Sequence, residues 1–203
     1  MPTHPIFSIG HSSHSYERFL VMLETAGVTA VADVRSAPYS RQNPQFNRET
    51  LKKQLQASGI AYSFLGNELG GRPSAAAYYR DGVADYERMA ADPAFQNGID
   101  RLLSGAQTYH VVLMCSERDP LDCHRCLLVS RSLAAHGVSV QHIAADGTIA
   151  PHESVEERLL QTERQASDDL FRPREERLCD AYRSRARKVA YAIGTPSQSA
   201  AAE

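Results

Sequence analysis

Two hydrophobic rhythms alternate along this chain. Short unbroken apolar runs at residues 6–9, 28–33, 60–65, 109–114 and 138–143 read as strands. The runs at 28–33 and 109–114 lack in–out alternation, the mark of a strand covered on both faces. Between them, apolar residues recur every three or four positions: Phe19, Leu20, Met22 and Leu23 over 15–26, Leu51 and Leu55 over 47–58, and Leu127, Leu128 and Leu133 over 122–137. That spacing paints one face of a helix. Gly27, Gly59 and Gly137 stand just past these stretches, and Asn47 stands where a cap belongs. A further helix, with Tyr86, Met89, Ala90, Leu102 and Leu103 on its inner side, is expected over 83–104 with a break at Pro93. Strand–helix alternation of this kind predicts an α/β fold, a mostly parallel sheet of about five strands with helices on both faces. Residues 66–82, with Gly70, Gly71 and Pro73, read as a long loop of the sort that forms a lid or a binding surface.

Beyond about residue 163 the rhythm fades. Residues 1–162 therefore read as one α/β domain and 163–203 as a basic C-terminal extension, partly disordered. The extension holds seven Arg or Lys against three acids between Phe171 and Lys188, and a basic amphipathic helix over 174–192 fits it as a solvated face or a docking helix. The whole chain of 203 residues has a formal charge of −2, which gives no global attraction to nucleic acid or to a membrane. The first residues lack the layout of an export signal, and no apolar run reaches the roughly 20 residues of a membrane span. A cytoplasmic location is expected. Three of the four cysteines (Cys115, Cys123, Cys126 and Cys179) fall within twelve residues, too close together to staple distant segments. In a reducing compartment such a cluster more often binds metal or does chemistry.

The polar residues gather where strands end. Gly10, His11, Ser12 and Ser13 follow the first run; Asp33, Arg35, Ser36, Ser40 and Arg41 follow the second; Cys115, Ser116 and Glu117 follow the run ending at Met114, with Cys123, His124 and Arg125 soon after. In an open parallel sheet the carboxyl ends of the strands face one edge, and ligands bind there. Each residue has a plainer reading: Asp33 pairs with Arg35, the serines cap helices, Cys126 is a small buried hydrophobe and Cys179 is incidental. As a set they point to a functional site. Three chemistries fit the cysteines. Cys123 or Cys115 is a thiolate nucleophile with His11 or His124 as base, Asp33 or Glu117 orienting the imidazole; or Cys115, Cys123 and His124 hold a transition metal such as zinc or iron; or the two cysteines form a reversible disulfide. Arg35, Arg41, Arg72 and Arg125, under the flexible backbone of Gly70 and Gly71, suit a small anionic or nucleotide-like ligand, with Ser12 and Ser40 as further ligand contacts.

These same residues carry a family resemblance. Residues 8–12, residues 33–38 with Ser40, Phe46 and Asn47, residues 69–71, and residues 114–117 followed by 123–125 resemble domain-of-unknown-function family 488, as do His142, Ile143 and Gly147 further on. The resemblance spans about residues 6–152. It implies a compact α/β domain of bacterial or archaeal type with a paired-cysteine signature, and it carries over His11, Asp33, Arg35, Cys115, Glu117, Cys123, His124 and Arg125. It implies no reaction. The expectations, in order, are a thiol-dependent enzyme on a small anion, a metal-binding protein, and a non-catalytic partner or nucleic-acid module using the basic extension.

Overall fold

The computed structural model describes residues 4–166 and 171–194. The strands are β1 (Ile6–Gly10), β2 (Ala30–Asp33), β3 (Ala61–Phe64), a small hairpin of β4 (Tyr79–Arg80) and β5 (Val83–Ala84), then β6 (Val111–Cys115), β7 (Val140–Ile143) and β8 (Ile149–Pro151). The helices are α1 (Tyr16–Thr25), α2 (Arg48–Ala57), α3 (Gly66–Leu69), α4 (Tyr86–Ala90), α5 (Pro93–Gly105), α6 (Arg131–Ala135), α7 (His152–Thr162) and α8 (Arg174–Val189). A π-helical turn over Arg125–Ser130 leads directly into α6. The main sheet has six strands in the order β3-β2-β6-β1-β7-β8, and only β8 runs antiparallel. The mostly parallel sheet of about five strands that was expected is present, with one antiparallel edge strand added that is too short to show a period.

The sheet separates two apolar layers, and the pleat of β6 shows how. Val111, Leu113 and Cys115 enter the layer beneath α4 to α8, while Val112 and Met114 enter the layer under α1 and α2 with Phe19, Leu23, Phe46, Leu51 and Leu55. Burial of each such side chain stabilises the fold by roughly 1.5–3 kcal/mol. The unalternating run in β6 is thus explained, since every residue of the strand is buried, and β1 is buried throughout as well. Local signals set the ends. Ser15 Oγ accepts from Arg18 N at the start of α1, and Gly27 beyond its end has φ +67°. Asp92 caps α5 with Pro93 in its first turn, so the helix expected over 83–104 is broken there, and its first residues form β5. The segment expected to be a long loop is partly ordered into α3, a 3-10 turn at Ala76–Tyr78 and β4.

The extension contributes α8, which packs on α7 with Ala181 and Tyr182 buried. The disorder expected at its end, residues 195–203, lies outside the described residues. No described helix is long and apolar enough to cross a membrane. For the site, strand order matters most. β2, β6 and β1 are adjacent and parallel, with Gly10 beside Cys115 and Asp33 beside Met114. Three polar strand ends far apart in sequence therefore share one edge.

Candidate active site

Beyond that edge the residues form two linked groups. The first is an ion pair. Asp33, fully buried, accepts from Arg35 Nε at 2.9 Å, from Arg35 Nη2 at 2.7 Å, from the Arg35 backbone at 3.1 Å and from the Tyr62 hydroxyl at 2.7 Å. The remaining guanidinium nitrogen lies 3.2 Å from His11 Nε2. His11 Nδ1 donates to the Ser12 carbonyl (2.8 Å) and its ring stacks on Phe46 at 4.3 Å. Nε2 therefore accepts from Arg35. Burial first, and Arg35 second, lower the His11 pKa to about 4. His11 is a neutral imidazole held by Arg35, and neither Asp33 nor Glu117 orients it by a hydrogen bond. The plainer reading of Asp33, a buried pair with Arg35, is what the geometry shows.

The second group holds the sulfurs. Cys123 stands at the start of the π-helical turn, and its sulfur lies 3.4 Å from the Arg125 backbone N–H, the position of a helix-capping acceptor. Its S–H points at Glu117 Oε2 (3.0 Å). His124 Nε2 donates to the Val34 carbonyl at 2.8 Å, which aims Nδ1 at both sulfurs, 3.7 Å from Cys115 and 4.0 Å from Cys123. Arg125 clamps the loop between the cysteines, donating to the carbonyls of Glu117 (2.6 Å) and Arg118 (3.1 Å). Both cysteines are free thiols.

These contacts make the sulfurs unequal. Burial works against ionisation of Cys123, but the Cys115 S–H, the Arg125 charge and His124 outweigh it and bring the pKa down to about 6. Cys115 goes the other way: it is buried at the strand end, and Cys123 and Glu117 disfavour a second anion beside them. Burial also opposes the charges on Glu117 and His124. Even so, His124 and the two thiols bring Glu117 down to about 2, and Cys123 and Glu117 raise His124. Below pH ~6 the Cys123 S–H donates to the Glu117 carboxylate; above it, a thiolate faces an imidazolium.

The sulfurs lie on the floor of a cavity of about 530 Å³. Its lining includes Arg35, Ser36, Gly71, Glu117, Cys123 and His124 from the domain, with Arg72, Arg187, Lys188 and Tyr191 on the rim. The basic extension therefore walls the site. Its last stretch is tied down by Ala84 N donating to the Tyr191 carbonyl (2.9 Å), Ile193 N to the Gly82 carbonyl (2.8 Å), an Arg185–Asp122 ion pair, and Arg72 stacked on the Tyr191 ring (5.1 Å). Gly71 lies against His124, and Gly70 packs on Gly66 and Ser36 with no room for a Cβ. Ser40 accepts from Asn43 N, and Ser12 N donates to the Ser116 carbonyl; both shape loops and neither lines the cavity. Arg41 is exposed and also outside the lining. Tyr62, Arg187, Lys188 and Tyr191 were not among the residues expected at the site, and Phe46 was expected only as part of the family resemblance. An aromatic or basic residue at those places carries no local signal of what it will face.

Two groups of potential metal donors occur among the described residues, Cys115 with Cys123 and His124, and Cys126 with His142 and His152. The family model described as domain of unknown function DUF488 matches residues 15–132, over half of the chain, and the chain belongs to that family. No curated protein and no solved structure matches it.

Proposed function

We propose that this member of the DUF488 family is an enzyme that transfers a group from a small anionic donor through a covalent adduct on Cys123. The observation that carries the reading is the placement of an acidic, helix-capping thiol on the floor of a cavity rimmed by Arg72 and Arg187, with Lys188 beside them paired to Glu163. The cationic rim concentrates an anion and orients it over the sulfur. The Cys123 thiolate forms a bond to the electrophilic carbon or phosphorus. The leaving group departs with its electron pair and takes the proton held on His124 Nδ1. Water or a second acceptor then displaces Cys123 from the adduct, giving up its proton to His124. Cys115 stays protonated and supplies a hydrogen bond to the thiolate.

Paired alkylation measurements test this. Iodoacetate and iodoacetamide differ in charge and share the reacting carbon, and peptide mapping identifies the labelled cysteine. Iodoacetate is expected to label Cys123 faster than iodoacetamide, and Arg72→Ala with Arg187→Ala to reverse that order. An unreactive Cys123, or a preference for the neutral reagent, refutes the reading.

One observation favours a metal at the same place. A tetrahedral site with Zn–S of about 2.3 Å and Zn–N of about 2.0 Å sets sulfur and nitrogen ligands roughly 3.6 Å apart, and the two S–Nδ1 spacings here are 3.7 and 4.0 Å. The His124–Val34 hydrogen bond is also the outer contact that a ligating histidine uses. In that reading Cys115, Cys123 and His124 would hold the metal, which would supply Lewis-acid activation of a water. Near-stoichiometric metal in tag-free protein, lost with Cys115→Ser, selects it; metal-free protein that alkylates as above rejects it.

A further inference from the structure

Behind the cavity floor, three more donor groups meet that the reading above does not use. Cys126 sits in the π-helical turn, His142 on β7, and His152 opens α7; they are 0%, 3% and 2% exposed. The Cys126 sulfur and one ring nitrogen of each histidine all lie within 4.8 Å of one another. The inner nitrogens, His142 Nε2 and His152 Nδ1, are 2.9 Å apart. The outer nitrogens are already held. His142 Nδ1 is 2.6 Å from Ser8 Oγ, and His152 Nε2 is 3.0 Å from the Tyr182 hydroxyl, which donates to Glu156 Oε1 at 3.1 Å. Five elements of the fold converge here: β1, the π-helical turn, β7, α7 and α8.

Two imidazoles and a thiol are an odd filling for an apolar layer, because polar groups cost free energy to bury and leucine would fill the space without that cost. Their arrangement has the order of a coordination sphere: donors inward, and a hydroxyl on the far side of each ring to fix its tautomer and tilt. Burial, then His152 and the nearby Arg125 and Arg158 charges, keep His142 neutral, with a pKa of about 2; burial does the same to His152, at about 4. Neutral imidazole is the form that ligates.

We propose that Cys126, His142 and His152 form a buried metal centre of one thiolate and two imidazoles, selective for a thiophilic d10 cation, zinc or copper(I). On binding, the metal takes lone pairs from Cys126 Sγ, His142 Nε2 and His152 Nδ1. The Cys126 proton leaves to solvent. The His142 proton moves from Nε2 to Nδ1, where Ser8 Oγ accepts it, while His152 keeps its proton on Nε2 toward Tyr182. Two nitrogens on one zinc stand about 3.3 Å apart, given Zn–N of about 2.05 Å, so the rings part by a few tenths of an ångström. The charged side chains that bear on the centre are Arg125, Arg158, Glu156 and Glu153. A monovalent ion on one thiolate leaves the centre neutral, which suits its burial and a three-ligand geometry.

The test uses the full chain carrying Cys115→Ser and Cys123→Ser, so that the cavity-floor sulfurs do not contribute. It is produced with zinc or, anaerobically, with copper(I), and analysed for bound metal and by X-ray absorption fine structure. One metal per chain with a shell of one sulfur and two imidazole nitrogens is expected, and the ion that is retained distinguishes the two cations. Adding His142→Gln or Cys126→Ser should lower retention at least tenfold. Absence of metal under both supplies, a shell without sulfur, or full retention in the added variants overturns the proposal. The absorption measurement decides the matter even where a core substitution prevents folding.

Discussion

The acidity of Cys123 depends most on a single neighbour, and Cys115→Ala in a Cys179→Ser background isolates it. Among the groups that lower the Cys123 pKa from 9.0 to about 6, the Cys115 thiol, with its sulfur within 4.8 Å, has the largest effect. A hydrogen bond to a charged group is worth roughly 1.5–3 kcal/mol, and one pKa unit is about 1.4 kcal/mol. Its loss therefore raises the Cys123 pKa by about one to two units, to roughly 7–8. At pH 6 the thiolate share falls from about one half to between about a tenth and a hundredth, so iodoacetamide should label Cys123 roughly 5- to 50-fold more slowly there, with little change at pH 9. The assay is the rate of labelling against pH, cross-checked by thiolate ultraviolet absorbance, with Cys179 removed because it is the most exposed sulfur. The alanine also leaves a small void beneath β6 that costs on the order of 1 kcal/mol, so denaturant midpoints are recorded alongside. A wild-type midpoint above pH 8, or a midpoint that stays near 6 in Cys115→Ala, refutes the account of why this thiol is acidic.

Asp33→Asn leaves the buried Arg35 guanidinium without its counter-charge and should cost about 3–5 kcal/mol in urea unfolding; a loss below 1 kcal/mol would show that the pair is dispensable. Gly71→Ala places a methyl 2.7 Å from His124 Cγ and 2.8 Å from Nδ1. The imidazole must swing off the Val34 carbonyl, and a stability loss of about 1–3 kcal/mol with a raised Cys123 labelling midpoint is expected; an unaltered midpoint contradicts it. His11, His142 and His152 all have folded pKa values below the usual 6.5, at about 4, 2 and 4. The unfolded chain binds their protons first, so the stability they contribute is complete above pH ~6.5 and is lost as pH falls through 4 for His11 and His152 and on toward 2 for His142. Unfolding near pH 5 should take up close to three protons from these groups, one fewer in His142→Gln, measured as the slope of unfolding free energy against pH; a flat slope there rules out neutral burial.

Much of this is legible in the sequence, for a reason peculiar to parallel sheets. The residue that ends a strand and begins a loop is fixed by the chain's own rhythm, so Gly10, Asp33 and Cys115 announce where they will stand. That they stand together depends on the order β2-β6-β1, which no residue encodes locally. Partnerships were less legible than positions. Asp33 binds Arg35 rather than His11, and Glu117 meets Cys123 rather than an imidazole, because such choices turn on ångström-scale aim that spacing does not convey. His142 and His152 went unread as a pair: each occupies an apolar slot in a short strand or a helix start, and nothing in the sequence marks their meeting. The hairpin of β4 and β5 and the strand β8 are too brief for any period to show. The basic extension read as a solvated or docking helix from its charge; its burial of Tyr182 and its place in the cavity wall come from tertiary packing alone.

The strap formed by the end of α8 and the residues clipped to the hairpin has a consequence for biosynthesis. A ribosome completes the floor of the chamber well before it makes the roof. Until α8 emerges and docks, the acidic sulfur lies in an open trough where any passing oxidant or electrophile can reach it. Shelter arrives late, as a closing act of folding, so a chain stalled or clipped ahead of α8 would carry its reactive group bare.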